Sequence, residues 1–295
     1  MTSVHHGFGP YYGITWDEKY IYLVARGAQR APRFIGNEKV LVLRPNFDWV
    51  GEFERLDLVK LHQIHFSNGQ LFICNTGRDR VDVITAKREG ERHAVNPLNS
   101  NDYSIRAMKT DPDDNDLWIN SIWTNQDGIY VVEHRRGPSK IKHINNKFEL
   151  LGEETGMGDK MHNVYIEDGK MIVCSSEAEC VIIRDLSTGK DKVIDTSQYA
   201  RGLPRGLART KDRWYIGISK RVARGERHRA DDAALLAFDD EFNLIKKIIL
   251  EKIGQLHEIR ATTGIDRAHN GMPFPKEVKS DVYLSSINLK NAYRP

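Results

Sequence analysis

What the chain lacks narrows the choices first. Only three cysteines occur among 295 residues, too few for the disulfide framework of a small secreted scaffold. Cys74 and Cys174 stand inside apolar runs, LFICN and MIVCS, and read as buried small hydrophobes in a reducing compartment. No run approaches the roughly 18 apolar residues that cross a bilayer. The start, MTSVHHGFGP, has neither the basic region nor the apolar region of a secretory signal. These absences point to a cytoplasmic protein with no membrane partner. A net charge of +3 is too small by itself to imply nucleic acid. Helical periodicity is nearly missing, and no Pro/Gly/Ser-rich linker divides the chain. Residues 1–295 are therefore expected to form a single domain.

What the chain has is a repeat. An apolar or aromatic residue, a special residue, a spacer and then usually Ile or Val recur. The copies are Tyr12-Gly13-Ile14, Leu61-His62-Gln63-Ile64, Ile119-Asn120-Ser121-Ile122, Met161-His162-Asn163-Val164, Arg205-Gly206-Leu207 and Leu256-His257-Glu258-Ile259. The special positions 13, 62, 120, 162, 206 and 257 lie 49, 58, 42, 44 and 51 residues apart. Each motif leads into a polar turn such as FSNGQ or IEDGK, then a β-rich run such as LFICN or WYIGIS. A second run follows (KVLVL, RVDVI, CVIIRD, AALLAF), and often a more polar fourth (WVGEF, FELLG, KVIDT, LIKKIIL). Short runs rich in Val, Ile and Tyr and bounded by turn residues are strands. Four such strands per repeat are the signature of a propeller blade. The expected fold is all-β, a six-bladed β-propeller of four-stranded antiparallel blades. DVYLSSI at 281–287 would supply a late strand of the sixth blade. The alternative is a five-bladed ring with a C-terminal extension.

In a propeller the innermost strand of each blade lines the central channel. The special positions should therefore ring one mouth. His62, His162 and His257 fall on alternate blades and would converge on the axis from three sides. Three neutral imidazoles with open positions form a catalytic metal arrangement, with zinc the commonest occupant and iron or manganese behind it. The competing readings are a metal-free polar pocket and purely structural histidines. Loops on the same face are basic: Arg26, Arg30 and Arg33; Arg78 and Arg80; His134, Arg135 and Arg136; then Lys220, Arg221, Arg224, Arg227, His228 and Arg229. Arginine forks suit carboxylate, sulfate or phosphate. Arg26, Arg78, Arg136, Arg221 and Asn120 are thus candidates for holding a small anionic substrate. The loops lack the interleaved aromatics that stack bases, which argues against nucleic acid. Arg205 would clamp an anion or stabilise developing charge, and Tyr12 and Glu258 are candidates for proton transfer. Glu133 is a candidate to orient a histidine from behind. His5, His6, His65, His143 and His269 follow no repeat logic and read as surface or structural.

The segments HGFGPYYGITW, LHQIHFSNGQLFICNTG, MHNVYIEDGKMIVCSS and RGLPRGLARTKDRWYIGISK resemble an uncharacterised bacterial family of six-bladed, NHL-like β-propellers. Within the wider NHL-like group, the histidines at 62, 162 and 257 are similar in periodicity to the zinc-binding set of peptidyl-α-hydroxyglycine α-amidating lyase. That resemblance implies a metal-dependent enzyme at the channel mouth, first a lyase, then a hydrolase or isomerase. It also implies arginine and tyrosine beside the metal, as Arg205 and Tyr12. The disulfides usual in that secreted enzyme are missing here, so its substrate does not carry over. Gluconolactonase-like propellers are a weaker comparison, because their carboxylate ligands have no counterpart at the inner-strand starts. The rival reading is a non-catalytic propeller that binds a protein partner or a small anion on its arginine-rich face.

Overall fold

The computed structural model describes residues 11–26, 38–53, 56–86, 103–111, 113–135, 137–223, 231–269 and 271–276. Its regular structure is almost wholly β. Five four-stranded antiparallel sheets follow one another along the chain. Blade 1 is β1 (Tyr11–Trp16), β2 (Ile21–Ala25), β3 (Lys39–Leu43) and β4 (Trp49–Glu52). Blade 2 is β5 (Leu61–Ser67), β6 (Gln70–Asn75), β7 (Arg80–Ala86) and β8 (Tyr103–Met108). Blade 3 is β9 (Ile119–Asn125), β10 (Gly128–Glu133), β11 (Lys140–Ile144) and β12 (Leu150–Glu154). Blade 4 is β13 (Met161–Glu167), β14 (Lys170–Ser175), β15 (Cys180–Asp185) and β16 (Asp191–Asp195). Blade 5 is β17 (Leu203–Arg209), β18 (Trp214–Ser219), β19 (Ala233–Phe238) and β20 (Leu244–Leu250). The stretch LIKKIIL is the outer strand β20, as its slot in the repeat requires.

Burial follows position in the blade. The second strands β2, β10 and β14 are buried along nearly all their length, because both faces meet neighbouring blades. The outer strands β12, β16 and β20 are mostly exposed and carry the Lys, Glu and Asp of the repeat. The core lies between blades. One cluster joins Trp123, Tyr165, Trp214 and Phe238 across blades 3 to 5, and another joins Tyr22, Phe53, Ile64 and Tyr103 across blades 1 and 2.

The six-bladed expectation is corrected: the described residues form five blades, as in the stated alternative. After β20 the chain forms no further sheet among the described residues. DVYLSSI and the residues before Tyr11 lie outside them. The physical reason is the composition of 251–276, where Gly, Asp, Arg and His replace the β-branched run of the earlier repeats. Residues 256–260 still occupy the gap between blades 5 and 1. The Arg260 guanidinium donates to the Leu207 carbonyl of blade 5 at 3.3 Å and to the Ile14 carbonyl of blade 1 at 3.2 Å.

Residues 261–269 and 271–274 then lie across the far end of the channel. Asp266 accepts from the backbone N–H groups of Arg209, Ala261 and Ala268. His269, buried, meets Thr15 Oγ1 at 2.5 Å, and its carbonyl accepts from the Trp123 indole at 3.0 Å. Histidines 65 and 269 are thus structural, as expected, although both are interior rather than on the surface.

Side-chain oxygens tie the inner strands together at four of the interfaces. Thr15 Oγ1 accepts from Phe66 N, Gln63 Oε1 from Ile122 N, Ser121 Oγ from Asn163 N, and Asn163 Oδ1 from Gly206 N, at 2.8–3.0 Å. Close approach at this belt explains Gly206. Its φ is +77°, and a Cβ there would lie 2.9 Å from Ile259 N and 3.0 Å from the Glu258 carbonyl carbon. Gly206→Ala should therefore lose about 2–4 kcal/mol of stability. Urea unfolding measures this, and a loss below about 0.5 kcal/mol would mean that the closing segment yields to the methyl group.

Candidate functional site at the channel mouth

Each inner strand pairs regularly at its start and then bulges. The register shifts between Tyr11 and Gly13, Leu61 and Ile64, Ile119 and Ser121, His162 and Val164, and Arg205 and Leu207. The residues left out of the ladder are Tyr12 in blade 1, His62 and Gln63 in blade 2, Asn120 in blade 3, Asn163 in blade 4 and Gly206 in blade 5. His162 is still paired, with Cys174, and His257 lies in the closing segment. The bulges thus fall on the expected positions 62, 120 and 206, one residue before Gly13 in blade 1, and one after His162 in blade 4.

The structure brings several of the expected residues together. The Tyr12 ring stacks on His257 at 3.8 Å between centroids and meets the edge of His62 at 5.2 Å. The Arg26 guanidinium lies over the Tyr12 ring, 4.3 Å from its centroid, and pairs with buried Glu38 at 3.4 Å. Arg205 Nη1 lies 3.4 Å from His257 Nδ1. His162 is buried on the opposite side and packs edge-on against His134 at 5.2 Å. His134 was counted only among the loop cations; its place beside His162 follows from its position directly after β10.

His62 and His162 are built alike. His62 Nδ1 lies 3.0 Å from the Lys60 carbonyl and 2.7 Å from Thr76 Oγ1. His162 Nδ1 lies 2.9 Å from the Lys160 carbonyl and 2.9 Å from Ser176 Oγ. Burial pushes both imidazoles well below the usual histidine range. The Arg26 and Arg205 charges push His62 further, and Arg205 and His134 do the same to His162. Both rings are neutral at pH 7, with Nε2 on the edge facing away from the strand.

Glu258 lies one step below, almost wholly buried. Its Oε1 accepts from Asn163 Nδ2 at 3.2 Å and pairs with Arg260 Nη1 at 3.1 Å. Burial pushes its carboxyl up to about 7 against the pull of Arg260. Asn120, also buried, donates to the Met161 carbonyl at 2.9 Å and so clamps blade 3 to blade 4.

Other candidates stand elsewhere. Arg78 pairs with Asp57 at 2.7 Å, and Arg221 pairs with Glu177 and Glu179, all near solvent. Arg136 lies outside the described residues, as do Arg30, Arg33, Arg224, Arg227, His228 and Arg229. Glu133 does not support a histidine: its two oxygens take the Thr110 hydroxyl and Arg135 Nε. The hydroxyls of Thr76 and Ser176, which do support histidines, were missed. The repeat carried the signal, since each stands 14 residues after its histidine.

A metal centre needs three donors around one point. Among the described residues no group of three His, Cys, Asp or Glu side chains is arranged to hold a metal ion. His62 and His257 are separated by the Tyr12 ring, and the Arg205 guanidinium approaches His257 where a cation would compete with it. The residues as placed do not fit a three-histidine metal centre. They fit an anion.

The fold defines a β-propeller whose mouth gathers imidazoles, guanidinium groups and a tyrosine. By structure the chain is similar to one in a nidogen/laminin complex, at 13% identity and a TM-score of 0.61 over 86% of this chain and 85% of that one. It is also similar to luciferin-regenerating enzyme, at 12% identity and 0.55 over 81% and 75%. Virginiamycin B lyase from Staphylococcus aureus follows at 11% identity and 0.51 over 82% and 84%. At such identities the likeness is one of fold. No family model matches the chain, and no curated protein matches it. Among the described residues no helix is long and apolar enough to cross a membrane.

The raised carboxyl of Glu258 makes a sign prediction. Folded, it keeps its proton up to about pH 7; unfolded, it sheds it near 4.5. Its contribution to stability is full below pH 4.5 and is lost as the pH rises through 7. Glu258→Gln should therefore gain about 2–3 kcal/mol relative to wild type between pH 4.5 and pH 8. Chemical denaturation at the two pH values checks this, and a pH-independent difference would contradict it.

Proposed function

We propose that the mouth is the active site of an enzyme acting on a small anion. Arg26 and Arg205 hold the anion, and His62 and His162 supply neutral imidazoles for proton transfer. Tyr12 and His257 wall the pocket between them. The reaction class this suits best is elimination next to a carboxylate, as in a lyase, with hydrolysis or isomerisation behind it. The observation that carries the reading is the matched anchoring of His62 and His162 through Nδ1, which leaves Nε2 of each for chemistry. A bound anion would also relieve the electrostatic pressure that Arg26 and Arg205 put on these rings, making them stronger bases when substrate is present.

Propellers of similar fold include enzymes, which is in keeping with this reading but decides nothing by itself. The rival, a non-catalytic docking face rich in arginine, is weakened by the ion pairs that engage Arg78 and Arg221. A divalent transition metal remains a separate proposal, zinc before iron or manganese. It would have to recruit a donor beyond His62 and His162.

Calorimetric titration with sulfate and with acetate tests the anion site. Binding should weaken about tenfold or more in Arg205→Gln, the loss expected for a charge-assisted contact. Equal binding by wild type and variant, or none by wild type, would overturn the assignment. Elemental analysis of tag-free protein tests the metal. Well under one equivalent per chain is expected, and a stoichiometric metal lost in His162→Ala would reinstate the histidine centre.

A further inference from the structure

We infer that Thr76 and Ser176 are positioning residues that set the tautomer of His62 and His162, and that they do so by borrowing a carbonyl from the next blade. The proposal rests on reading these two histidines as the bases of the mouth. The argument is one of proton supply. A hydroxyl has one proton to donate and lone pairs to accept. Thr76 Oγ1 donates its proton to the Ile119 carbonyl at the start of β9. Ser176 Oγ donates its proton to the Pro204 carbonyl in β17, at 2.9 Å. Toward the imidazole each hydroxyl then shows only a lone pair, so Nδ1 must carry the ring proton. The Lys60 and Lys160 carbonyls can only accept and make the same demand. Each neutral ring therefore has its proton on Nδ1 and its basic lone pair on Nε2.

The device is duplicated. Lys60 and Lys160 both adopt left-handed backbone, with φ of 52° and 51°, which turns their carbonyls under the rings. The hydroxyls stand 14 residues after their histidines, and the two sets lie 100 residues apart. The neighbour of His257 is of another kind: its Nδ1 lies 3.4 Å from Arg205 Nη1, which can only donate. A hydroxyl without the neighbouring blade's carbonyl could turn its proton toward Nδ1 and favour the other tautomer. The choice of tautomer is accordingly tied to how blade 2 packs on blade 3 and blade 4 on blade 5.

Long-range proton–nitrogen NMR of histidine-labelled, full-length protein reads the tautomers without any ligand. Signals are assigned by their loss in His62→Gln and His162→Gln. Wild type should show Nδ1–H for both rings. In Thr76→Val the ratio of Nδ1–H to Nε2–H at His62 should fall about fivefold, the worth of one net hydrogen bond. Ser176→Ala should do the same at His162. Thr76→Ser and Ser176→Thr should restore the wild-type ratios, which a merely structural role would not require. Nε2–H on either ring in wild type overturns the inference, as does an unchanged ratio in Thr76→Val and Ser176→Ala. Because no anion is added, failure of the anion titration would strike the proposed function alone, and failure of the tautomer spectra would strike this device alone.

Discussion

The structure depends on how its last blade is joined to its first. Four interfaces are made in the ordinary way, by neighbouring inner strands packed side by side. The fifth is bridged by a segment without regular structure, and the bridging group is Arg260. One guanidinium reaches carbonyls on both sides of the gap, at Leu207 and Ile14, and pairs with Glu258 in the channel. A buried guanidinium is costly unless its charge and its donors are met. Here the Glu258 carboxyl and the Ile14, Leu207 and Ile259 carbonyls take Nε and Nη1, while Nη2 has no partner among the described residues. The raised carboxyl of Glu258 reflects the same burial from the other side. Closure is thus a polar arrangement, while cohesion between blades is apolar.

The bulges convert that ring into a site. A regular inner strand would turn alternate side chains into the blades and leave the channel lined by chance. A bulge in the first half of each inner strand instead breaks that alternation close to the mouth. Directly below, a belt of backbone N–H groups held by Thr15, Gln63, Ser121 and Asn163 keeps the strands from sliding. The positions that present chemistry are therefore seated on the part of the fold with the least freedom to move. Rigid seating of this kind is what proton transfer at fixed geometry needs.

Much of this was legible in the sequence, and what was not has physical causes. Short β-rich runs between polar turns disclosed the blades, and even LIKKIIL went to its slot because the repeat overrode its helical look. Histidines 62, 162 and 257 could be placed at the mouth from spacing alone. The sixth blade could not be judged, because Leu256-His257-Glu258-Ile259 imitates an inner-strand motif while the residues after it cross the channel instead of turning back. The bulges of blades 1 and 4 fall one residue from the expected positions, because a bulge changes register without changing the apolar pattern. The fate of the arginines was hidden for another reason. Whether Arg221 faces a ligand or Glu177 depends on a contact spanning 44 residues, and no local pattern encodes it.

The electrostatics of the mouth bear on what it can bind. Two guanidinium groups stand among imidazoles that burial already holds neutral. A dication entering there would meet like charge at Arg205 and a tyrosine ring wedged between two of its intended ligands. An anion entering there would meet two cations and restore basicity to the very rings that could take its proton. The alternation of histidines that first suggests a metal is equally the alternation needed to surround an anion from two sides. What bears on the two readings is the company the histidines keep: Arg205 beside His257, and Arg26, itself held by Glu38, over the Tyr12 ring.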